Sequence, residues 1–215
     1  MLNKNSNYSL SSQGVTQRTY VNFFKKAYES VKDGVSKASK VFSKDPLQFD
    51  FRGAKAVYLN ASIKKSFQKA VLLDDYLRNK IRHLKSHGMD YYILEGKCIV
   101  CFKKMDTKSR VSSFYSNRFK DLMSGKSVHY SKKMLDTLSE MGINKPLPIY
   151  FVGHVLDSAN RLIDVRLVHY NDSKVAYEVS LQELFRANLF NISQEDKLSN
   201  DIIVKSKINK NKKAQ

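Results

Sequence analysis

The chain has 215 residues, 42% of them hydrophobic, with 38 lysines and arginines against 20 aspartates and glutamates. This hydrophobic content is sufficient for a packed core, which excludes disorder throughout the chain. No window approaches the roughly 18 consecutive apolar residues of a membrane span, and the first residues lack the apolar run of a secretory signal. Two cysteines are too few for a disulfide framework. We therefore expect a soluble, cytoplasmic protein.

The formal net charge of +18 indicates the class of partner. A charge that far from zero costs self-repulsion unless a polyanion neutralises it, so nucleic acid or an anionic membrane face is the leading partner. The codon bias of an AT-rich genome is the alternative source of the lysines, although such bias does not by itself suppress acids. The charge is unevenly distributed, because residues 146–192 carry four basic and five acidic side chains while the rest of the chain is basic.

The first predicted element is a basic amphipathic helix. Residues 1–14 are rich in asparagine and serine, which predicts a flexible N-terminus. Across 16–43, apolar residues recur at three- and four-residue steps and leave Lys25 and Lys26 among the lysines around the helix. Gly34 lies inside this pattern and predicts a kink or an early end, because glycine costs about 1 kcal/mol relative to alanine in a helix.

A short hairpin and a second helix are predicted next. Residues 47–59 alternate in hydrophobicity and contain the turn signal Arg52-Gly53, which favours two short strands. Ser62 is then a candidate N-cap for a helix whose apolar stripe continues to Leu84, with Gly88 just beyond its end. Lysines and arginines occupy the outer face of that helix.

The middle of the chain combines strands and helices. Residues 90–102 have the composition of two short β segments that meet at Glu95-Gly96. A basic turn and a helix over 111–123 follow, and a further helix over 131–141 ends at Gly142. This arrangement predicts a β-hairpin and two helices before the neutral segment.

The neutral segment 148–181 predicts three consecutive strands. Its second and third strands alternate apolar and polar residues, and its first is apolar on both parities, which places the first centrally in the sheet with both sides covered. Closing the loop between the last two strands sets Arg166 opposite Glu178 as a cross-strand ion pair. Ser180 and Glu183 then form a capping box that opens the last helix.

These elements predict an α+β fold with a mainly antiparallel sheet, built on the C-terminal three-stranded meander, and basic amphipathic helices packed against it. We expect a single domain over 15–192, with a helical basic part at 15–145 and the meander plus its helix at 146–192. The last eleven residues contain five lysines and no acid. Residues 193–215 are therefore predicted to form a basic, flexible tail.

Two cysteines at C-x-x-C spacing raise the question of a metal site. Together with His83 and His87, Cys98 and Cys101 give an inverted order of Cys2His2 ligands. The two residues between the cysteines are strand formers, however, and strand residues three apart point to opposite faces. We therefore interpret the cysteines as buried thiols in a strand, and we predict no metal and no other cofactor.

Glu95 and Lys97 form an acid-x-Lys tripeptide that fits a nuclease-like site, in which carboxylates hold magnesium and a lysine polarises water. Asp90 is the candidate second carboxylate, although it lies only five residues upstream on the same segment. Gly96 favours a solvated turn as the simpler interpretation. A metal-dependent nuclease that uses Asp90, Glu95 and Lys97 is the enzymatic alternative.

The remaining histidines are interpreted as structural. His154 and His169 lie within predicted apolar strands, where a core histidine with satisfied hydrogen bonds is commoner than a ligand. His129 has no partner nearby in sequence, and no sequence context argues for a catalytic triad.

The basic middle of the chain is the predicted binding surface. Its lysines and arginines can contact phosphates, and an exposed aromatic such as Phe114 can stack on an unpaired base. The alternative is that the aromatics belong to the core, which leaves the phosphate role of the charges unchanged. The predicted nucleic-acid-binding residues, including two from the first helix, are Lys103, Lys104, Lys108, Arg110, Phe114, Arg118, Lys120, Lys126, Lys25 and Lys26.

We expect a non-catalytic nucleic-acid-binding protein with weak sequence selectivity. Lysine predominates over arginine, which favours phosphate neutralisation over bidentate reading of bases. Under this hypothesis we expect the protein to belong to a phage or a mobile element. A non-enzymatic alternative is an interaction or inhibitor protein that docks an acidic protein partner through its basic helices. The sequence leaves open DNA or RNA, one strand or two, and the oligomeric state.

Overall fold

Helices and a six-stranded sheet make up the part of the chain that the computed structural model describes, namely Ser9 and residues 13–46, 51–86, 88–111, 132–144 and 147–186. The strands, which are neighbours in the sheet in chain order, are β1 (Ile81–Ser86), β2 (Met89–Leu94), β3 (Cys98–Met105), β4 (Ile149–Leu156), β5 (Leu162–Asn171) and β6 (Lys174–Ser180). The helices are α1 (Gln17–Lys44), α2 (Arg52–Leu72), α3 (Asp75–Lys80), α4 (Lys132–Glu140) and α5 (Leu181–Arg186). Neighbouring strands are antiparallel except β3 and β4, which are parallel. The predicted α+β fold with a mainly antiparallel sheet is thus confirmed.

α1 runs without interruption for 28 residues, through the kink predicted at Gly34. Thr16 caps its start, because the Thr16 side chain accepts a hydrogen bond from the backbone N–H of Thr19. The missing side chain at Gly34 lets α2 approach, since a Cβ built there would lie 2.6 Å from the Cα of Ile63. Close packing of α1 against α2 therefore offsets the poor helix propensity of glycine, and the predicted kink or early end is wrong.

The predicted hairpin over 47–59 is wrong where the structure describes it, because α2 begins at Arg52. Residues 47–50 lie outside the described part. Ser62, the predicted N-cap, lies in the interior of α2. Burial of a helical stripe outweighs the local turn signal. The stripe consists of residues spaced by four that are buried in the core shared with α1, namely Leu59, Ile63 and Phe67.

The second predicted helix ends earlier than its apolar stripe indicates. Asp74 separates α2 from α3 and caps α3, because its side chain accepts a hydrogen bond from the backbone N–H of Leu77 at 3.0 Å. From Ile81, which lies opposite Leu94, the chain is the strand β1 and not a helix. Strand pairing overrides the helical spacing because the edge of β2 would otherwise lack these hydrogen-bond partners. Gly88, with a φ of +76°, lies in the turn between β1 and β2.

β4, β5 and β6 form the predicted meander. Residues 149–155 of β4 are all buried, which confirms that this strand is central and covered on both sides. The hairpin closes with Asn171 opposite Lys174, and the register then shifts between His169 and Tyr170; together these place Ser180, and not Glu178, directly opposite Arg166. The predicted ion pair still forms diagonally, with 3.0 Å between Arg166 Nη1 and Glu178 Oε1.

Each face of the sheet carries a hydrophobic core. Alternate residues of the central strands point to the face covered by α1 and α2, and the others point to the face on which α4 packs. The first face includes Tyr92, Val100, Val152 and Leu167, whereas the second includes Ile93, Ile99, Phe151 and Val168. α4 confirms the helix predicted over 131–141, and Gly142 follows it with a φ of +70°.

The chain termini and part of the middle are not described. Almost all of the helix predicted over 111–123, the tail predicted over 193–215 and most of 1–14 lie outside the described residues. The cap predicted at Ser180 is present, because its Oγ accepts a hydrogen bond from the backbone N–H of Glu183 at 3.1 Å. Among the helices of the described ranges, none combines the length and the apolar character that a membrane span requires.

Candidate functional site

A cleft lies where β2 and β3 part. These strands pair over three residues, from Leu94 opposite Cys98 to Tyr92 opposite Val100. β2 begins three residues earlier and β3 continues to Met105, so the strands separate at this end of the sheet. A cleft of about 500 Å³ is bordered there by the C-terminal end of α1, the N-terminal half of α2 and the ends of β2, β3 and β4. Four lysines line it, and we call it the lysine cleft: Lys55, Lys64, Lys103 and Lys104.

The four lysines come from two elements that are far apart in the chain. Lys55 and Lys64 belong to α2, and Lys103 and Lys104 belong to the end of β3. All four residues are half-buried. Burial lowers the pKa of Lys103 below its usual value, and the charge of Lys64 acts in the same direction. The repulsion among these ammonium groups is of the kind that a bound anion relieves.

Asp90 is the acid in the described lining of the cleft, and two basic side chains engage it. Its Oδ2 lies 2.5 Å from Lys64 Nζ, and its Oδ1 lies 2.8 Å from His83 Nε2. Burial raises the pKa of Asp90, but the hydrogen bonds from Lys64 and His83 outweigh that effect, so the pKa lies below its usual value. Asp90 is therefore a carboxylate that holds Lys64 at the cleft. Among the described residues of the lining, lysines outnumber acids by four to one.

His154 is the unusual polar residue of the lining. It lies on β4 beside Lys104 of β3, is 1% exposed, and neither of its ring nitrogens has a hydrogen-bond partner within the described structure. Burial and the charge of Lys104 lower the pKa of His154 to about 4. In contrast, the Nδ1 of His169 donates to the carbonyl oxygen of Ile149 at 2.8 Å. The expected core histidine with a hydrogen bond is thus present at His169. His154 is likewise buried in a strand as expected, but the described residues supply no hydrogen bond to its ring.

Aromatic side chains form part of the apolar lining. Phe42 comes from α1 and Phe102 from β3. Phe102 is half-buried and packs against Phe67, with 4.8 Å between the ring centroids. The cleft thus combines ammonium groups that suit phosphate with flat apolar surfaces that suit a planar ring.

Two turns of the same construction lie at this end of the sheet, one after β3 and one after β4. In each turn an aspartate accepts hydrogen bonds from the backbone N–H and from the Nε of an arginine four residues later. The pairs are Asp106 with Arg110 and Asp157 with Arg161, at 2.6 to 2.9 Å. Asn160 of the second turn lines the cleft. The pattern D-x-x-x-R is present in both turns, but it also occurs at Asp74 and Arg78 at the start of α3, so it does not by itself predict the turns.

The structure brings part of the predicted binding set together. Lys103 and Lys104 lie in the lysine cleft, and the exposed Lys108 and Arg110 lie on the turn that follows β3 at the same end. The predicted lysines of α1, which lie roughly 25 Å along the helix from its cleft end, are Lys25 and Lys26. Four predicted residues lie outside the described part of the chain, namely Phe114, Arg118, Lys120 and Lys126.

Lys55, Lys64 and His154 are the polar residues of the cleft that matter most for its chemistry and were absent from the predicted set. Lys55 falls in the incorrectly predicted hairpin, and Lys64 was assigned to an exposed helix face. The apolar stripe from Leu59 through Phe67 is the signal that places both lysines on one helix. His154 has no such signal, because an apolar strand does not reveal which of its polar groups lack a partner.

Glu95 belongs to the opposite end of the sheet and has a structural role. It accepts hydrogen bonds from the backbone N–H and the Oγ1 of Thr16, both at 3.0 Å, and from Thr19 Oγ1 at 2.7 Å. Glu95 thereby fixes the start of α1. Asp90 lies five residues away along β2, which corresponds to roughly 17 Å, and Lys97 is exposed in the turn. The three residues of the nuclease alternative do not converge on one site.

The disfavoured candidate set of metal ligands does not converge either, as far as the structure describes it. Cys98 is buried in the core under α1 and α2, whereas Cys101 is buried in the core on the other face of the sheet. Burial raises the pKa of both thiols, that of Cys101 to about 12. His83 lies on β1 and contacts Asp90, and His87 is outside the described residues. Across the described ranges, no group of three or more histidines, cysteines or acids is arranged to hold a metal ion.

Comparisons of the chain with protein-family models, with curated proteins and with solved structures found no match. The functional interpretation therefore follows from the geometry of the lysine cleft. That geometry offers positive charge, planar apolar walls and a buried imidazole without a hydrogen-bond partner among the described residues, all at one concave surface.

Proposed function

We propose that the chain is a non-catalytic nucleic-acid-binding protein that contacts the phosphate backbone with weak sequence selectivity. The lysine cleft is the centre of the contact. The observation that supports this most is the convergence of four lysines around one cleft in a chain with a net charge of +18. Each lysine that neutralises a phosphate releases counterions, which favours binding whatever the sequence.

The surroundings of the cleft favour an extended polyanion over a small isolated anion. Lys44 at the end of α1 and Lys108 on the turn after β3 are exposed and carry positive charge beyond the cleft itself. The acids of the two turns, Asp106 and Asp157, are each paired with an arginine. A chain of successive phosphates matches such a surface better than a single charged group does.

The proposal includes a cytoplasmic location and a phage or mobile-element setting. Both cysteines are free and buried, which is compatible with a reducing compartment. Fractionation of cells that express the full chain tests the location. We expect recovery in the soluble cytoplasmic fraction together with nucleic acid, and release of that nucleic acid by nuclease.

The salt dependence of binding tests the function directly. Affinity of the full chain for a labelled oligonucleotide is measured by fluorescence anisotropy between 50 and 200 mM salt. If about six phosphates are contacted, the affinity falls about 10³-fold across this range. A flat salt response would overturn the proposal, because phosphate contacts necessarily release counterions.

A matched pair of double variants tests the role of the cleft. Lys103→Gln with Lys104→Gln removes two charges from the cleft, and Lys80→Gln with Lys97→Gln removes two exposed charges at the opposite end of the sheet. The slope of log affinity against log salt should decrease by about 1.8 in the cleft variant and stay unchanged in the control. Equal changes in the two variants would assign binding to the overall charge and remove the cleft from the proposal.

An acidic protein partner is the competing outcome. Affinity capture with the full chain, before and after nuclease treatment, separates the two. A protein that stays bound after nuclease treatment, combined with no affinity of the purified chain for oligonucleotides, identifies an interaction or inhibitor protein and overturns nucleic-acid binding.

A further inference from the structure

In the part of the chain that the structure describes, the ring of His154 at the lysine cleft has no hydrogen-bond partner. A buried imidazole without hydrogen bonds costs free energy, and nearly all buried polar groups in folded proteins have a partner. His154 is one of the residues that line the cleft, so a molecule bound there is the candidate for the partner that the described residues do not supply. A neutral imidazole offers one N–H donor and one nitrogen acceptor.

The remaining lining restricts the chemistry of that molecule. The four lysines suit a phosphate, and Phe42 and Phe102 provide flat apolar surfaces. The volume of about 500 Å³ falls within the range of about 300 to 1,000 Å³ that is typical of small-ligand sites. A single nucleotide is the unit that combines a phosphate, a planar ring and a ring edge with adjacent donors and acceptors.

We propose that the lysine cleft holds one unpaired nucleotide, with its phosphate on the lysines and its base between Phe102 and the imidazole of His154. The inference rests on the proposed function and adds to it that the bound nucleic acid is single-stranded at the cleft. A base inside a duplex is stacked and paired, and it cannot reach the wall of a cleft of this size unless it is extruded.

Variants of His154 test the base contact separately from the phosphate contacts. His154→Leu removes the donor and the acceptor, whereas His154→Gln keeps one of each. We expect the affinity of His154→Leu for a single-stranded oligonucleotide to fall about tenfold, and that of His154→Gln to recover most of the loss. The salt slope should be the same in both variants and in the wild type, because no phosphate contact is removed.

A blunt duplex of the same length distinguishes failure of the inference from failure of the proposed function. The wild type should prefer the single strand, and duplex affinity should be unchanged by His154→Leu. Steep salt dependence with equal single-strand affinity of the wild type and His154→Leu would overturn the nucleotide site and leave nucleic-acid binding intact. Absence of salt-dependent binding to either oligonucleotide would overturn the proposed function itself.

A measurement on the wild type keeps the inference testable if His154→Leu does not fold. The ¹⁵N signals of the His154 imidazole are followed by NMR while a single-stranded oligonucleotide, a free mononucleotide such as AMP, or inorganic phosphate is added. A shift with the oligonucleotide supports the site, and a shift with AMP as well shows that free nucleotides share it. No shift with the oligonucleotide, or an equal shift with inorganic phosphate alone, would overturn the base contact.

Discussion

A network of half-buried charges on β5 and β6 and the lysine cleft border the same sheet. They differ in that the cleft contains a buried ring, that of His154, without a hydrogen-bond partner among the described residues. Arg166 donates from Nε to Asp164 at 2.7 Å, and from Nη1 to Ser109 Oγ at 2.7 Å and to Glu178 at 3.0 Å. We call this group the Arg166 network. In the lysine cleft, four lysines face one aspartate, and the ring of His154 has no hydrogen-bond partner in the described structure.

The comparison separates polar residues that stabilise the fold from those that are available to a ligand. Burial of charge costs free energy unless the partners are present, and the Arg166 network has them. The network also holds the turn after β3 against the sheet, because Arg166 Nη1 donates to the carbonyl oxygen of Thr107 at 2.9 Å. In the lysine cleft, the buried ring of His154 carries such a cost without a hydrogen-bond partner among the described residues, which is the pattern expected of a binding site.

The largest expected effect on stability is at the Arg166 network. Arg166→Met leaves Asp164 and Glu178, each 15% exposed, without their cation. We expect the free energy of unfolding, measured by urea denaturation, to decrease by about 3 kcal/mol. Arg161→Met is the control, because Arg161 is paired with Asp157 but is 81% exposed, and it should change by less than about 0.5 kcal/mol. Similar losses in the two variants would show that the half-buried ion pairs of the network stabilise the protein no more than an exposed ion pair does.

The second prediction concerns His154, where removal of a polar group should stabilise the protein. At pH 7.5, His154→Leu should unfold with a free energy equal to that of the wild type or about 1 kcal/mol higher, because an unsatisfied donor and acceptor are removed. The same variant is expected to bind single strands more weakly. A stability loss of 1 kcal/mol or more would indicate that the imidazole is paired in solution and would end the contrast with the Arg166 network.

The pH dependence of that difference follows from the pKa of His154, which burial and Lys104 lower to about 4. Above about pH 6.5 the imidazole is neutral in both the folded and the unfolded chain. Between pH 6.5 and 4 the unfolded chain takes up a proton that the folded chain does not, so wild-type stability decreases as pH falls. His154→Leu lacks this loss. Its advantage over the wild type should therefore be about 2 kcal/mol larger at pH 5 than at pH 7.5.

The third prediction tests the fully paired carboxylate at the other end of the sheet. Burial raises the pKa of Glu95, but hydrogen bonds from Thr16 and Thr19 outweigh it, so the pKa lies below its usual value. Glu95→Gln weakens these charge-assisted hydrogen bonds at the start of α1. We expect the free energy of unfolding at pH 7 to decrease by about 1.5 kcal/mol. Glu29→Gln, at an exposed position of α1, is the control and should have little effect.

The sign of the pH effect at Glu95 is opposite to that of a group with a raised pKa. Because the folded chain holds the carboxylate charged, its stabilisation is complete above the unfolded pKa of about 4.3 and disappears as pH falls through the lower folded pKa. The difference between wild type and Glu95→Gln should thus shrink from pH 7 to pH 3.5. A constant difference would mean that the hydrogen bonds do not depend on the charge of Glu95.

The secondary structure was predicted correctly in the regions where a single hydrophobic periodicity dominates. The meander, α1 and the β2–β3 hairpin follow from alternation or helical spacing, and both cysteines are buried in a strand as expected. Between Arg52 and Ser86, the helix predicted in the middle is largely present, but the segments 52–61 and 81–86 were mispredicted. Local signals compete there with tertiary contacts: Gly34 admits α2 against α1, and β1 forms only because β2 is available to pair with it. Only part of the site was predicted, because the remainder likewise depends on tertiary contacts. Lys103 and Lys104 are neighbours in a basic run, whereas their convergence with Lys55 depends on packing.

The last prediction concerns the smallest expected effect on stability, and it tests the difference between the lysine cleft and the Arg166 network. Lys103→Gln with Lys104→Gln should leave the free energy of unfolding within about 0.5 kcal/mol of the wild type at low salt, because the lost contacts are offset by the relief of repulsion in the cleft. Thermal unfolding with an oligonucleotide sharpens the result, since a ligand at 100 times its Kd stabilises the folded state by about 2.7 kcal/mol. The wild type should gain this stabilisation, and the double variant should gain less at the same oligonucleotide concentration. A loss of more than 1 kcal/mol without oligonucleotide would instead show that these lysines stabilise the fold, as Arg166 does.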